Sequence, residues 1–359
     1  MRQEYAEPYS TGSARGARIV SPANEFCGPA RVTNHGDRLS TPNGATAWPL
    51  FGKGWILCCL AIVLPGFQPE TSAQDEIPGI GPVGKVERLH TDFAFTEGPA
   101  VDSDGNVYFT DIPGNRIHKR TTRGELSVFI EPSGHCNGLM IVGDRLLACE
   151  MDGRLKQFSL SRRTETVLAD SFEGVRFNAP NDLVIDRSGG IYFTDPRFRA
   201  PEPWPQKKEA VYYRAADGTV TRLITDRIAP NGVILSPDET TLYVIPSMEE
   251  KMWAYPVTAP GKIGKGKVFC RIKQAEGRSS GGGDGLTIDT NGNLYITTAL
   301  GLQIFGSDGT ALGILPFPEQ PANVTFGGPG RHTLFVTART SLYALETTAT
   351  GHVFPGRTE

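Results

Sequence analysis

Six oxygen-bearing side chains recur in this chain at one register: Glu97, Asn137, Asn181, Asn231, Asp284 and Asn323. Each opens the same pattern of apolar strand, turn and second apolar strand, as in EGPAVDSDGNVYFTD from Glu97 and DGLTIDTNGNLYITT from Asp284. Carboxylates and amides without thiols or histidine form a hard-cation set, better suited to calcium or magnesium than to a soft transition metal. Four of the six make the strongest group. Glu97 and Asp284 neutralise a divalent charge, Asn181 and Asn231 add amide oxygens without charge, and positions remain for water or substrate. A cation with open positions polarises an ester carbonyl or a phosphoryl oxygen. Asp284 sits in a Gly-rich stretch, Ser279 to Gly285, that leaves room for a ligand. It reads as a general base activating water or, alternatively, as a direct nucleophile. Taken singly, an Asn beside Gly or Pro serves a turn. The shared register in separate repeats is what favours ligation.

The elements that must position these residues follow from their spacing. The intervals between the six are 40, 44, 50, 53 and 39 residues, a blade-length period. This predicts an all-β fold, a six-bladed β-propeller with four-stranded antiparallel blades around a central metal-containing channel. The 42 Gly, the 27 Pro and the lack of long 3.6-period segments predict little helix. The alternating stretch from Val83 to Phe93 is expected to complete the last blade, pairing with the opposite end of the chain and so removing exposed strand edges. Asp104-Gly105-Asn106, Ser188-Gly189 and Asn291-Gly292 read as hairpin turns. They lack the Glu and the following helix of a calcium loop.

A second row of residues ends the second strands at the same rim: Asp111, Glu150, Asp195, Pro246, Thr297 and Thr337. Candidate substrate contacts are Asn137 in the ring, His135 beside it, Glu150 and Asp195 in the outer row, and Arg197. For His135 the competing reading is a hydrogen-bonded structural histidine at the channel wall, and for Glu150 and Asp195 it is a bond to nearby backbone amides. Arg197, Arg199 and Trp204 lie in the Pro-rich loop PRFRAPEPWPQ, read either as a specificity lid or as cover for a sheet edge.

Residues 1–73 differ from the rest. A polar stretch precedes Lys53, an apolar block over 55–67 and the small residues Thr71, Ser72 and Ala73, the order of a secretory signal peptide. The block is too short to span a bilayer. The expectation is a non-globular leader over 1–73, with translation starting nearer Lys53, and a single propeller domain over 74–359 that is secreted or periplasmic and has no stable membrane association after cleavage. The alternative is a buried apolar hairpin packed on the propeller. A formal net charge of −3 and the absence of a basic run give no driving force for binding nucleic acid. Beyond the leader stand Cys136, Cys149 and Cys270. An odd number without Cys-x-x-Cys spacing argues against a disulfide framework or a thiolate zinc site. Cys136 and Cys149 could pair, but two small buried thiols are the favoured reading.

Across about Phe95 to Leu345 the chain resembles the gluconolactonase and regucalcin-like family of calcium-dependent lactonases. The most specific pieces are TEGPAVDSDGNVYFTD, APNDLVIDRSGGIYFTDPRF, APNGVILSPDETTLYV, GDGLTIDTNGNLYIT and NVTFGG. The resemblance implies a six-bladed propeller, calcium (with zinc, manganese or magnesium as substitutes) on Glu97, Asn181, Asn231 and Asp284, Asp284 as catalytic carboxylate, and a small-molecule sugar lactone as substrate. The scaffold is also similar to diisopropyl fluorophosphatase and, more distantly, the paraoxonases. Asn323 and Phe326 stand where a central histidine of those relatives is expected, which disfavours phosphoester hydrolysis. A third possibility is a non-catalytic propeller that binds a carbohydrate or protein.

Overall fold

The computed structural model describes residues 76–277 and 281–354, so the leader over 1–73 and its apolar block lie outside the described residues. Within them, one 3-10 turn at Pro329–Arg331 is the sole helical element and all other regular structure is strand. Consecutive antiparallel meanders form six blades. Blade 1 comprises Thr96–Val101, Val107–Asp111, Arg116–Arg120 and Leu126–Ile130, and blade 2 comprises Cys136–Val142, Arg145–Glu150, Arg154–Ser159 and Glu165–Ala169. Blade 3 is Leu183–Ile185, Ile191–Asp195, Ala210–Arg214 and Val220–Ile224. Blade 4 is Pro230–Leu235, Thr241–Pro246, Lys251–Ala259 and Lys267–Arg271, with a short added strand at Lys262–Ile263. Blade 5 is Leu286–Ile288, Leu294–Thr298, Gly301–Phe305 and Ala311–Leu315. This is a six-bladed β-propeller.

Blade 6 contains Pro321–Gly327, Thr333–Ala338 and Ser341–Glu346, and its fourth strand is Val83–His90 from the start of the described chain. Arg88 lies opposite Tyr343 and His90 opposite Leu342, as expected from the alternation in this stretch. Pairing a late strand with an early one closes the ring and hides the edge that an open array would expose.

Position within a blade determines the strand pattern. Val107–Asp111, Ile191–Asp195 and Leu294–Thr298 are buried at every residue. Blades stack face to face, so a second strand is covered on both sides and reads as a continuous apolar run. Tyr108, Phe109, Tyr192, Phe193 and Tyr295 fill the spaces between sheets and are at most 1% exposed. Each such side chain contributes roughly 1.5–3 kcal/mol through burial. Outermost strands such as Leu126–Ile130 face solvent and carry mixed residues.

The recurring Asp and Gly motifs are turns, as expected. Asp102, Asp186 and Asp289 each use Oδ1 to accept two backbone N–H groups of the hairpin that follows, all at 2.8–3.0 Å. Gly105 and Gly292 have φ of 83° and 81°, a backbone region where a Cβ is strained. Cys136, Cys149 and Cys270 are buried free thiols, so Cys136 and Cys149 are not bonded.

Candidate active site

Where each inner strand begins, the lead residues are fastened through their backbone while their side chains point into the ring. Thr110 Oγ1 donates to the Asn137 carbonyl (3.2 Å), Gly138 N to Asn181 O (2.8 Å) and Thr194 Oγ1 to Asn231 O (2.8 Å). Gly232 N then donates to Asp284 O (3.0 Å), Gly285 N to Ala322 O (2.8 Å) and Thr96 N to Arg339 O (2.7 Å). Every blade is thus tied to the next by a bond at the ring. The bonds satisfy buried backbone groups and hold the Cα positions of the lead residues.

The glycines that follow four of the lead residues have a reason other than a turn. A Cβ on Gly98 would lie 2.0 Å from the Asn137 carbonyl oxygen, and one on Gly285 would lie 2.0 Å from Asn323 Cγ. The Glu-Gly, Asn-Gly and Asp-Gly pairs therefore mark the clearance each inner strand leaves for the next lead residue.

Electrostatically the ring is unbalanced. Glu97 is 3% exposed and its carboxylate takes one backbone hydrogen bond, from Gly98 N at 2.8 Å. Burial, reinforced by the charge of Asp284, pushes its pKa well above the usual carboxylate range. Burial also raises Asp284, against a hydrogen bond from Asn231 and the charge of Arg339. Asn231 Nδ2 donates to Asp284 Oδ1 at 2.6 Å and to Ser247 Oγ at 2.8 Å. The Asn181 side chain is 3% exposed. Two mutually repelling carboxylates among amide side chains suit a hard-cation donor set. No three His, Cys, Asp or Glu side chains converge for a metal among the described residues. Glu97, Asn181, Asn231 and Asp284 are a mixed set of carboxylates and amides of the chemistry a hard cation takes.

Asp284 also lines a cleft of about 240 Å³ between blades 4 and 5, with Ser247, Lys273, Gln274, Gly282 and Gln320 among its walls. The cleft gives a small molecule access to the carboxylate.

The other sequence candidates take different places. Asn137 is buried in the ring, with Nδ2 3.8 Å from Met151 Sδ. His135 holds Asp152 through Nδ1 at 3.0 Å, matching the alternative of a hydrogen-bonded histidine. Both oxygens of Asp195 are engaged by the chain, accepting from Asn178 N at 2.9 Å and Ala179 N at 2.8 Å. Asp111 binds Ala94 N and Phe95 N in the same way in blade 1. Glu150 is fully buried and paired with Arg154 at 2.5 and 2.6 Å. Asp195 thus bonds nearby backbone amides as in the alternative reading, whereas Glu150 is held by the Arg154 side chain instead. Arg197 is exposed and lies 4.9 Å from the Trp204 ring, an ordered stack within its loop.

Two features escaped the sequence reading. Asp182, 8% exposed, follows Asn181 and lines a second cavity along the channel, and burial pushes its pKa up to about 7. Its signal was an acid where four other units carry Gly. The threonines of the inter-blade belt were visible in YFTD, YFTD, YITT and FVT, but their partners lie in neighbouring repeats.

The model of the SMP-30/Gluconolactonase/LRE-like region matches residues 95–340. The chain belongs to this family. It is 31% identical over 294 residues to a gluconolactonase of Zymomonas mobilis subsp. mobilis, covering 74% of this chain and 82% of that one. It is 26% identical over 293 residues to the diisopropyl-fluorophosphatase of Loligo vulgaris, covering 73% and 90%. The solved gluconolactonase of Xanthomonas campestris superposes with a TM-score of 0.66 at 28% identity, covering 73% of this chain and 89% of the other.

Proposed function

We propose that this family member is a metal-dependent lactonase that opens sugar lactones, with calcium its first-choice ion and zinc, manganese or magnesium as substitutes. The observation that carries the reading is the paired acid ring, in which Glu97 and Asp284 are both raised by burial and stand with Asn181 and Asn231 at one end of the channel. The Zymomonas and Xanthomonas gluconolactonases support the reaction class. When bound, the cation would supply Lewis-acid polarisation of the lactone carbonyl. Glu97, Asn181, Asn231 and Asp284 would hold it.

The chain's own residues do the rest. Asp284 borders the cleft and takes a proton from the attacking water, with Asn231 Nδ2 on Oδ1 fixing its orientation. Ser247 holds Asn231 in turn, so the carboxylate cannot rotate freely. The amides of Gln274 and Gln320 and the hydroxyl of Ser247 give the cleft partners for substrate oxygens. The signal-like order of residues 53–73 supports a secreted or periplasmic location.

The test is hydrolysis of a panel of aldonolactones, read as proton release, after chelation and again after calcium is restored. Activity that vanishes and returns supports the reading, while none from a folded, calcium-loaded protein on any lactone contradicts it. The Loligo relative favours one second reading, phosphoester hydrolysis on the same ring. Phosphofluoridate turnover exceeding lactone turnover would select it.

A further inference from the structure

We infer that the substrate is a lactone bearing an apolar substituent, which lies across a patch formed by Phe198, Ile228 and Met248 at the mouth of the cleft. The inference rests on the lactonase reading of that cleft and goes beyond its sugar-lactone substrate class.

These side chains are 49%, 61% and 58% exposed. Of the other large apolar side chains in contact with solvent among the described residues, Val83, Leu126, Val128, Val167, Val268 and Leu312 lie on outermost strands, where a blade faces water, and Val175 lies in a short hairpin. Phe198, Ile228 and Met248 belong instead to three separate connections at the end of the channel that holds the acid ring.

Hydrogen bonds draw those connections together. Glu209 accepts from Arg197 N at 3.3 Å and from Ala229 N at 3.0 Å. Ser247 N donates to Ala229 O at 2.9 Å. Glu249 accepts from Ile228 N at 3.5 Å and Trp253 Nε1 at 3.1 Å, and the Arg227 guanidinium lies 3.6 Å from the Trp253 ring. The charged groups are used to fasten the loops, and the apolar side chains are left facing water. Such exposure costs solvation free energy and is common where a ligand covers it.

One of the three loops borders the reaction cleft. Ser247, next to Met248, lines that cleft, holds Asn231 at 2.8 Å and accepts from Gly282 N at 2.9 Å. A cleft of about 240 Å³ holds one small ring, below the usual size of pockets that enclose larger ligands. Any longer substituent must leave the cleft, and along the Ser247 wall it meets Met248, Ile228 and Phe198.

The test measures kcat/KM of the calcium-loaded full chain on δ-hexalactone, δ-octalactone and δ-decalactone, with glucono-1,5-lactone as the polar reference. The same series is run on Phe198→Ser, Ile228→Ser, Met248→Ser and the triple variant. Full burial of a methylene corresponds to about fourfold. A partly covered chain should raise kcat/KM at least about tenfold from hexa- to decalactone, and the triple variant should lose most of that rise while keeping glucono-1,5-lactone turnover. A flat series, or a rise unchanged in the triple variant, overturns the inference while leaving the lactonase reading intact. A dimer that the substitutions dissociate, with no change in chain-length dependence, assigns the patch to self-association and overturns it too. Hydrolysis of no lactone removes the underlying reading as well.

Discussion

The propeller carries two rows of carboxylates near one end of its channel, and they are given different partners. In the outer row, Asp195 and Asp111 each meet two backbone N–H groups, and Glu150 meets Arg154. In the inner row, Glu97 receives one backbone bond and faces Asp284. A buried acid that the fold supplies with donors is part of the scaffold, whereas two acids that face each other cannot both stay ionised without a positive charge beside them. Residue type is alike in the two rows, and Asp284 is half-buried where it borders the cleft. The identity of the partner separates the two rows.

Exchanging acid for amide in each row gives the largest expected contrast. Asp284→Asn should lower lactone kcat/KM by about a thousandfold while calcium is retained, since an oxygen ligand remains and the base is lost. Asp195→Asn should leave kcat/KM within about threefold in steady-state assays of folded protein. Equal losses would break the distinction.

Stability should reverse the ranking. Asp195→Ala strips acceptors from two buried amides and should cost about 2–4 kcal/mol in urea unfolding. Asp284→Ala in chelated protein should cost less than about 1 kcal/mol, because it also relieves repulsion with Glu97. A larger cost for Asp284→Ala would show that the inner acids already serve the fold.

The smallest effect is on pH. Burial pushes Asp195 up to about 7 despite its two backbone donors. The folded state therefore holds this proton more tightly than the unfolded chain. Its contribution to stability is complete below about pH 4 and is lost as pH rises through about 7. Urea midpoints across that window should fall more steeply in wild type than in Asp195→Asn, and identical slopes would contradict the assignment.

The sequence shows most of the architecture because the repeat writes the same chemistry at each inner strand. Glu97, Asn181, Asn231 and Asp284 stand out through that repetition, and Val83–His90 through its alternation ahead of the first unit. The roles of Glu150 and Asp195 do not show, since a strand-end acid looks the same whether it faces substrate or the amides of Asn178 and Ala179. Asp182 is hidden because its cavity is formed by strands from several blades. The Phe198, Ile228 and Met248 patch is hidden for a similar reason: isolated apolar residues in loops carry no period, and Glu209 and Glu249 join them only in three dimensions.

The most direct test is a calorimetric titration of calcium into chelator-stripped full-length wild type, Glu97→Gln and Asp195→Asn. One equivalent should bind wild type and Asp195→Asn alike, and Glu97→Gln should bind at least about tenfold more weakly. Absence of binding to wild type, or equal affinity in Glu97→Gln, would contradict a metal held by the inner ring.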